Sequence, residues 1–220
     1  MSFSAEQRQR LAPLWERMLA HPFLVQTCDG IIADETFARW MRQDYLFVAQ
    51  GVRFLAALLA RAPARHRDPL AESIEALRKE LVLFEEQAGK VGVELAGARP
   101  AFIAHAYMQF LMATALGAAY AEAYTVLYVA ECAYHDSWRV VRDGISPNSK
   151  WLPFVDNWAS DAFGQYVASL ESEVDPLAAD AGADERGGMA ELFELTTYYE
   201  IAFWEMAISG ETWPGVPEGA

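Results

Sequence analysis

Cysteine is scarce in this chain, two in 220 residues, which excludes a disulfide-stapled scaffold and leaves a zinc knuckle without its ligands. Histidine is hardly commoner. Three residues before His21, His66, His105 and His135 stand Met18, Pro63, Phe102 and Cys132, so no Glu-x-x-His pair exists and the usual di-iron signature of helical bundles is missing. A glycine-rich phosphate cradle and a Gly-x-Ser-x-Gly nucleophile elbow are missing as well. Basic side chains are short in one half only. Residues 1–110 balance at 13 Lys and Arg against 13 Asp and Glu, so the whole excess behind the net charge of -14 falls in residues 111–220. Such a surface repels a phosphate backbone and an anionic membrane, and neither nucleic acid nor membrane is expected as a partner.

Long hydrophobic runs are also lacking. Pro100 to Ala121 carries no Asp, Glu, Lys or Arg, but it is rich in Ala and includes His105, Gln109, Thr114 and Gly117, which argues against a bilayer span. No apolar stretch follows the charges of MSFSAEQRQRLAPLW, so neither a signal nor a transit peptide is read there, and a cytoplasmic address is expected.

What the chain does have is core-forming material, 53% apolar and 13% aromatic, in a length suited to one domain spanning residues 1–220. Apolar positions recur three and four apart, with no sustained period of two, which predicts an all-α fold of packed helices. The expected helices run from Ser4 to Ala20, from an Asp34 N-cap to about Ala62, and from Pro69 to Gly89. Further helical stretches cover Ala101 to Arg142 with a break at Gly117, Trp151 to Glu173, and Arg186 to Ser209. Pro63 with Arg65-His66-Arg67 is read as closing the second helix, and the acidic segment Asp175 to Gly188 as an exposed loop.

Several charged residues interrupt apolar faces. Phe37, Trp40, Met41, Val48, Val52 and Leu55 form a stripe on the second helix, and Asp44 falls inside it. Burying a carboxylate costs several kcal/mol unless it is paired or hydrogen-bonded, so a structural partner or a ligand must satisfy it. The last helix places Glu200 and Glu205 among aromatics. Five residues advance a helix about 500°, which turns these two acids about 140° apart, so at most one shares a cavity with Asp44. Glu131, Tyr134, His135 and Trp138 recur at helical spacing on the fifth stretch. Carboxylates among Tyr, Phe and Trp suit a flat heteroaromatic ligand, whose N–H groups a buried acid can bind.

Three separated segments carry a more specific likeness: HPFLVQTCDGIIADETFARWMRQDYLFV from His21 to Val48, Tyr107 followed by Ala121-Glu122, and YYEIAFWEMAISGETWP from Tyr198 to Pro214. Together they resemble the TenA family, thiaminase II-type helical enzymes with a haem-oxygenase-like fold, from about Leu14 to Trp213. The resemblance implies hydrolysis of thiamin-derived pyrimidines in thiamin salvage by a cytosolic homodimer or homotetramer, without a cofactor or a metal. It puts the ring-binding aspartate at Asp44, the acid–base glutamate at Glu200 and pocket tyrosines at Tyr107 and Tyr134.

Where the better-known branch carries a nucleophilic cysteine, ungapped matching places Ala130. Cys132 lies two residues later, about 200° round the helix. The chain is therefore similar to the branch that lacks the cysteine and has a glutamate in this region, here Glu131. Two pocket tyrosines are replaced by Phe47 and Trp158. On this reading Asp44 stays ionised and holds the pyrimidine, Phe47, Tyr107, Tyr134 and Trp158 border it, Glu200 moves a proton and Glu131 activates water. Aromatic burial would raise the pKa of Glu200 toward neutrality. Aminomethylpyrimidine or its N-formyl derivative is the expected substrate, and thiamin cleavage is expected to be weak or absent. A non-catalytic heterocycle binder and an iron- or haem-dependent oxidase are the competing readings.

Overall fold

A computed structural model describes residues 1–211 and 213–215; Thr212, inside the last of the three family-like segments, lies outside the described residues. The expected all-α class is observed, with ten helices and no strand among the described residues. Two compact units divide the chain. One comprises Met1–Ile32 and Ala121–Trp204, the other Ala33–Tyr120 and the described residues from Glu205 onward.

The second unit is built on α4 (Asp34–Arg61), which packs against both α5 (Ala64–Val91) and α6 (Phe102–Gly117). Trp40 and Tyr45 of α4 meet Phe84 near the end of α5, while Gly51 faces Leu77, so these two helices run antiparallel. A Cβ at Gly51 would sit 3.0 Å from Leu77 Cδ1, and the missing side chain lets the two helices approach closely. Against α6 the order of contacts rises on both helices, Gln43 with Ala101, Phe47 with Tyr107 and Arg61 with Ala115, so α4 and α6 are parallel. α6 ends at Gly117, the break read from the sequence.

The start of α5 corrects an expectation. The helix begins at Ala64, directly behind Pro63, so the basic Arg65-His66-Arg67 stretch opens this helix rather than closing the one before. Pro69 is inside it, and the lack of one N–H near the N-terminal end forfeits a single helical hydrogen bond. Gly92, at φ 72°, supplies the left-handed cap that ends α5.

The first unit begins with α1 (Phe3–Arg10) and α2 (Ala12–Leu19) where one helix was expected. Pro13 has no N–H for the preceding turn, and the chain restarts at Leu11. A seven-residue helix unforeseen in the sequence, α3 (Pro22–Cys28), follows, with the His21 ring accepting the Phe23 N–H and Pro22 opening its first turn. α7 (Tyr120–Arg142), α8 (Leu152–Trp158), α9 (Asp161–Asp180) and α10 (Ala183–Ser209) complete the set.

Asp175 to Gly188 is not an exposed loop. α9 continues through Pro176 to Asp180, and α10 starts at Ala183. The reason is electrostatic. Asp175 accepts the Ser4 N–H at 2.7 Å and the Ser4 hydroxyl at 3.0 Å, placing a carboxylate on the positive N-terminus of α1 and fixing this turn of α9 in place. Glu6 pairs with Arg186 at 2.7 Å and Arg10 with Glu194 at 2.6 Å, holding α1 to α10. No helix among the described residues is long and apolar enough to cross a membrane.

Candidate active site

In the unit built on α4, the apolar stripe is buried at Phe37, Trp40, Met41, Val48 and Leu55, with Val52 half-buried. Asp44 is as enclosed as its neighbours, with 1% of its surface exposed. One turn on, the half-buried Phe47 ring lies 4.7 Å from that of the buried Tyr107 on α6, tilted by 44°. Phe110 continues this aromatic row, 6.1 Å from Tyr107. Asp44, Phe47 and Tyr107 therefore occur in one unit, a carboxylate one helical turn from a pair of packed rings.

The other unit gathers a second set. Tyr134 on α7 stacks on Trp204 of α10 at 5.3 Å and meets the edge of Trp158 of α8 at 5.4 Å. Trp138, one turn after Tyr134, stacks on Trp158 at 5.5 Å, and Phe23 stacks on Trp204 at 5.1 Å. Such contacts add to area burial by roughly 0.5–1.5 kcal/mol each. Glu200, 1% exposed, precedes Trp204 by one helical turn. Glu205 is exposed, as the angular divergence of the two acids requires. Half-buried Glu131 stands one turn before Tyr134.

Sequence reasoning missed Trp204, Trp138 and Phe23 as members of this cluster. For two of them the signal is spacing, since Trp204 follows Glu200, and Trp138 follows Tyr134, by four residues; Phe23 carries no such signal. Trp204 Nε1 is buried without a hydrogen-bond partner among the described residues, so an indole donor stands one turn beyond Glu200. His135 supports the cluster through the backbone, with its Nδ1 2.8 Å from the Trp158 carbonyl oxygen.

Cys132 faces a different environment. Arg8 Nη1 donates to its sulfur at 3.5 Å, and Arg8 Nη2 and Trp15 Nε1 both donate to Asp136 Oδ2, at 2.7 and 2.9 Å. The Arg8 guanidinium lies 3.9 Å over the Trp15 ring. Burial, with the Asp136 carboxylate adding to it, pushes the Cys132 thiol up to about 12 despite the opposing charge of Arg8. At neutral pH this sulfur is a thiol, not a thiolate, and it is no nucleophile. Ala130, at the matched position, offers none either. Among the described residues no group of three or more His, Cys, Asp or Glu is arranged to hold a metal ion.

The model of the TENA/THI-4/PQQC family matches residues 8–210, across both units. A Glycine max protein named "Probable bifunctional TENA-E protein" is 27% identical over 204 residues, 88% of each chain. An "Aminopyrimidine aminohydrolase" of Halalkalibacterium halodurans is 26% identical over 222 residues, covering 97% of this chain and 98% of that one. Among solved structures, a TenA homologue from Pyrococcus furiosus superposes with a TM-score of 0.90 at 34% identity, over 93% of this chain and 99% of that one. A Shewanella denitrificans domain described as having a heme oxygenase-like fold superposes with a TM-score of 0.76 over 94% of this chain and 92% of that one. At 11% identity the likeness is one of fold alone.

Proposed function

The chain belongs to the TENA/THI-4/PQQC family, and from that premise we propose that it is a thiamin-salvage hydrolase acting on aminopyrimidine breakdown products of thiamin. The supporting observation is a pair of carboxylates, Asp44 and Glu200, each 1% exposed, the first on the apolar stripe of α4 and the second one turn before the buried Trp204. A fold does not retain two buried acids cheaply, and pyrimidine chemistry has a use for both. In the relatives that bear the name aminopyrimidine aminohydrolase the same reaction class is stated outright.

With the aminomethyl compound the reaction replaces nitrogen by oxygen at the methylene carbon, and with the N-formyl derivative it breaks the formyl C–N bond. Aminomethylpyrimidine and water give hydroxymethylpyrimidine and ammonia; the N-formyl derivative and water give the aminomethyl compound and formate. Asp44 accepts hydrogen bonds from the pyrimidine amino group and a protonated ring nitrogen, and orients the ring against the Phe47 and Tyr107 pair. Glu200 delivers a proton to the departing nitrogen, and Glu131 takes one from the attacking water. Tyr134 and Trp158 border the ring and exclude water from it. No step uses a cysteine, in keeping with Ala130 and with a Cys132 held as the thiol. Residues 1–220 work as one domain, in a cytoplasmic homodimer or homotetramer.

The test is a product assay. Purified protein is incubated separately with aminomethylpyrimidine, its N-formyl derivative and thiamin, and products are identified by mass. Hydroxymethylpyrimidine from the first, or the aminomethyl compound from the second, with little from thiamin, is the expected outcome. Thermal stabilisation by these pyrimidines without turnover would instead assign a binding role.

A further inference from the structure

Gln43 immediately precedes Asp44 and is itself buried, 7% exposed, with both ends of its amide engaged. Its Nε2 donates to the Arg99 carbonyl at 3.1 Å, and its Oε1 accepts the Ala101 N–H at 2.8 Å. The two backbone groups flank Pro100 and belong to the segment that delivers the chain into α6, whose N-cap, Ala101, makes no side-chain capping bond. A carboxamide can donate to one and accept from the other at once. On the far side Trp213 Nε1 donates to the Pro100 carbonyl at 2.9 Å.

The opposite end of α6 is held by α4 too. Arg61 Nη1 donates to the Ala115 carbonyl and Nη2 to the Ala118 carbonyl, where the helix leaves its last carbonyls unmatched and its dipole favours a cation. α6 is thus clamped to α4 at both ends. The two clamps are 18 residues apart on α4, about 27 Å along the axis. Only the Gln43 clamp adjoins the Asp44, Phe47 and Tyr107 group. Gln43 and Phe47 are one turn apart on α4, and Tyr107 comes six residues after Ala101 on α6.

We propose that Gln43 is a positioning residue for pyrimidine binding: by fixing the Arg99–Ala101 segment it sets the register of Tyr107 against Phe47 and beside Asp44. The proposal rests on the reading of Asp44 and Tyr107 as ring-binding residues. It makes Gln43 matter for affinity beyond its contribution to stability, whereas Arg61, which clamps the same helix at its far end, matters for stability alone.

The test compares Gln43→Ala, Gln43→Glu and Arg61→Met, using calorimetric binding of hydroxymethylpyrimidine, steady-state kinetics with aminomethylpyrimidine, and thermal unfolding. Gln43→Glu is nearly isosteric and can still accept the Ala101 N–H, but it turns a negative oxygen toward the Arg99 carbonyl, so it separates loss of the clamp from loss of volume. Both Gln43 variants are expected to raise Kd and KM about tenfold while kcat stays within about threefold, as for an interaction made equally in ground and transition states. Arg61→Met is expected to lower the melting temperature and leave Kd unchanged. Wild-type affinity in both Gln43 variants, or an equal loss of affinity in Arg61→Met, would overturn the positioning role while leaving the enzyme assignment intact. A wild-type protein that neither binds nor converts any of the pyrimidines would overturn both together.

Discussion

His135 donates its Nδ1 hydrogen to the main-chain oxygen of Trp158 across 2.8 Å. A carbonyl can only accept, so the Nδ1 position carries a proton. The ring's Nε2 faces Gly164 of α9, where an added Cβ would lie 2.9 Å away. The imidazole is therefore held on two sides and fixes the last residue of α8, the aromatic neighbour of Tyr134. Gly164→Ala should press on the ring and cost about 1–3 kcal/mol of stability. His135→Ala should free the Trp158 carbonyl, raise KM for the aminopyrimidine and change kcat less. Denaturation midpoints and steady-state kinetics check both, and nitrogen chemical shifts of the wild-type ring should report a protonated Nδ1.

Asp44→Asn and Glu200→Gln preserve shape while removing the ionisable carboxyl group. If the first acid holds the ring and the second moves a proton, each should reduce turnover by about two orders of magnitude or more. Far-ultraviolet circular dichroism and the melting temperature should stay near wild type, because neither change alters volume. Asp44→Asn should also weaken binding of hydroxymethylpyrimidine, whereas Glu200→Gln should act chiefly on kcat. Full activity in either variant would end that residue's role.

How far the sequence foretells this arrangement depends on what kind of information each feature needs. Asp44 stands out because a charged residue at i+3 from Met41, i+4 from Trp40 and i+7 from Phe37 must share their face, and helical geometry alone settles that. The same geometry separates buried Glu200 from exposed Glu205. α3 was not legible, because seven residues are too few for a periodic signal, and its start depends on the His21 ring accepting a backbone N–H. The end of α9 was misread for a tertiary reason. Its acidic composition resembles a loop, yet Asp175 is fixed by Ser4, 171 residues away in sequence. Periodicity also says that Trp138 and Trp204 are inside, but not that both pack round Tyr134, since partner choice in a core depends on shape.

Gly144, in the turn after α7, is required by Cys28. A Cβ there would collide with the Cys28 sulfur and come within 3.8 Å of its carbonyl oxygen. A cysteine side chain is short and has one rotatable bond to its sulfur, so it cannot swing far enough without leaving its rotamer well. Gly144→Ala is expected to destabilise the wild type by about 1–3 kcal/mol. In a Cys28→Ala background the sulfur is gone and the same change should cost far less. A double-mutant cycle by urea denaturation should return a coupling of about 0.5–3 kcal/mol, and additivity would show that the two residues do not constrain one another.

Cys132 ties stability to alkaline pH with a definite sign. Its ordinary value is 9.0, and burial raises it in the folded chain to about 12, with Tyr128 beside it shifted upward as well. Below pH 9 both folded and unfolded chains keep the thiol proton, and the stabilising difference is fully present. Above it the unfolded chain releases a proton that the folded chain retains, so stability falls as pH rises from about 9 toward 12. Cys132→Ser keeps an oxygen acceptor for Arg8 but cannot ionise in that range, so its stability should fall less steeply from pH 8 to 10.5 in denaturant titrations. The same variant should retain turnover of aminomethylpyrimidine, because a sulfur held as the thiol and bonded to Arg8 does not attack a substrate. Native protein should likewise resist iodoacetamide at Cys132 at pH 8. Rapid alkylation there, together with loss of activity in Cys132→Ser, would restore a cysteine to the mechanism and displace the carboxylate route.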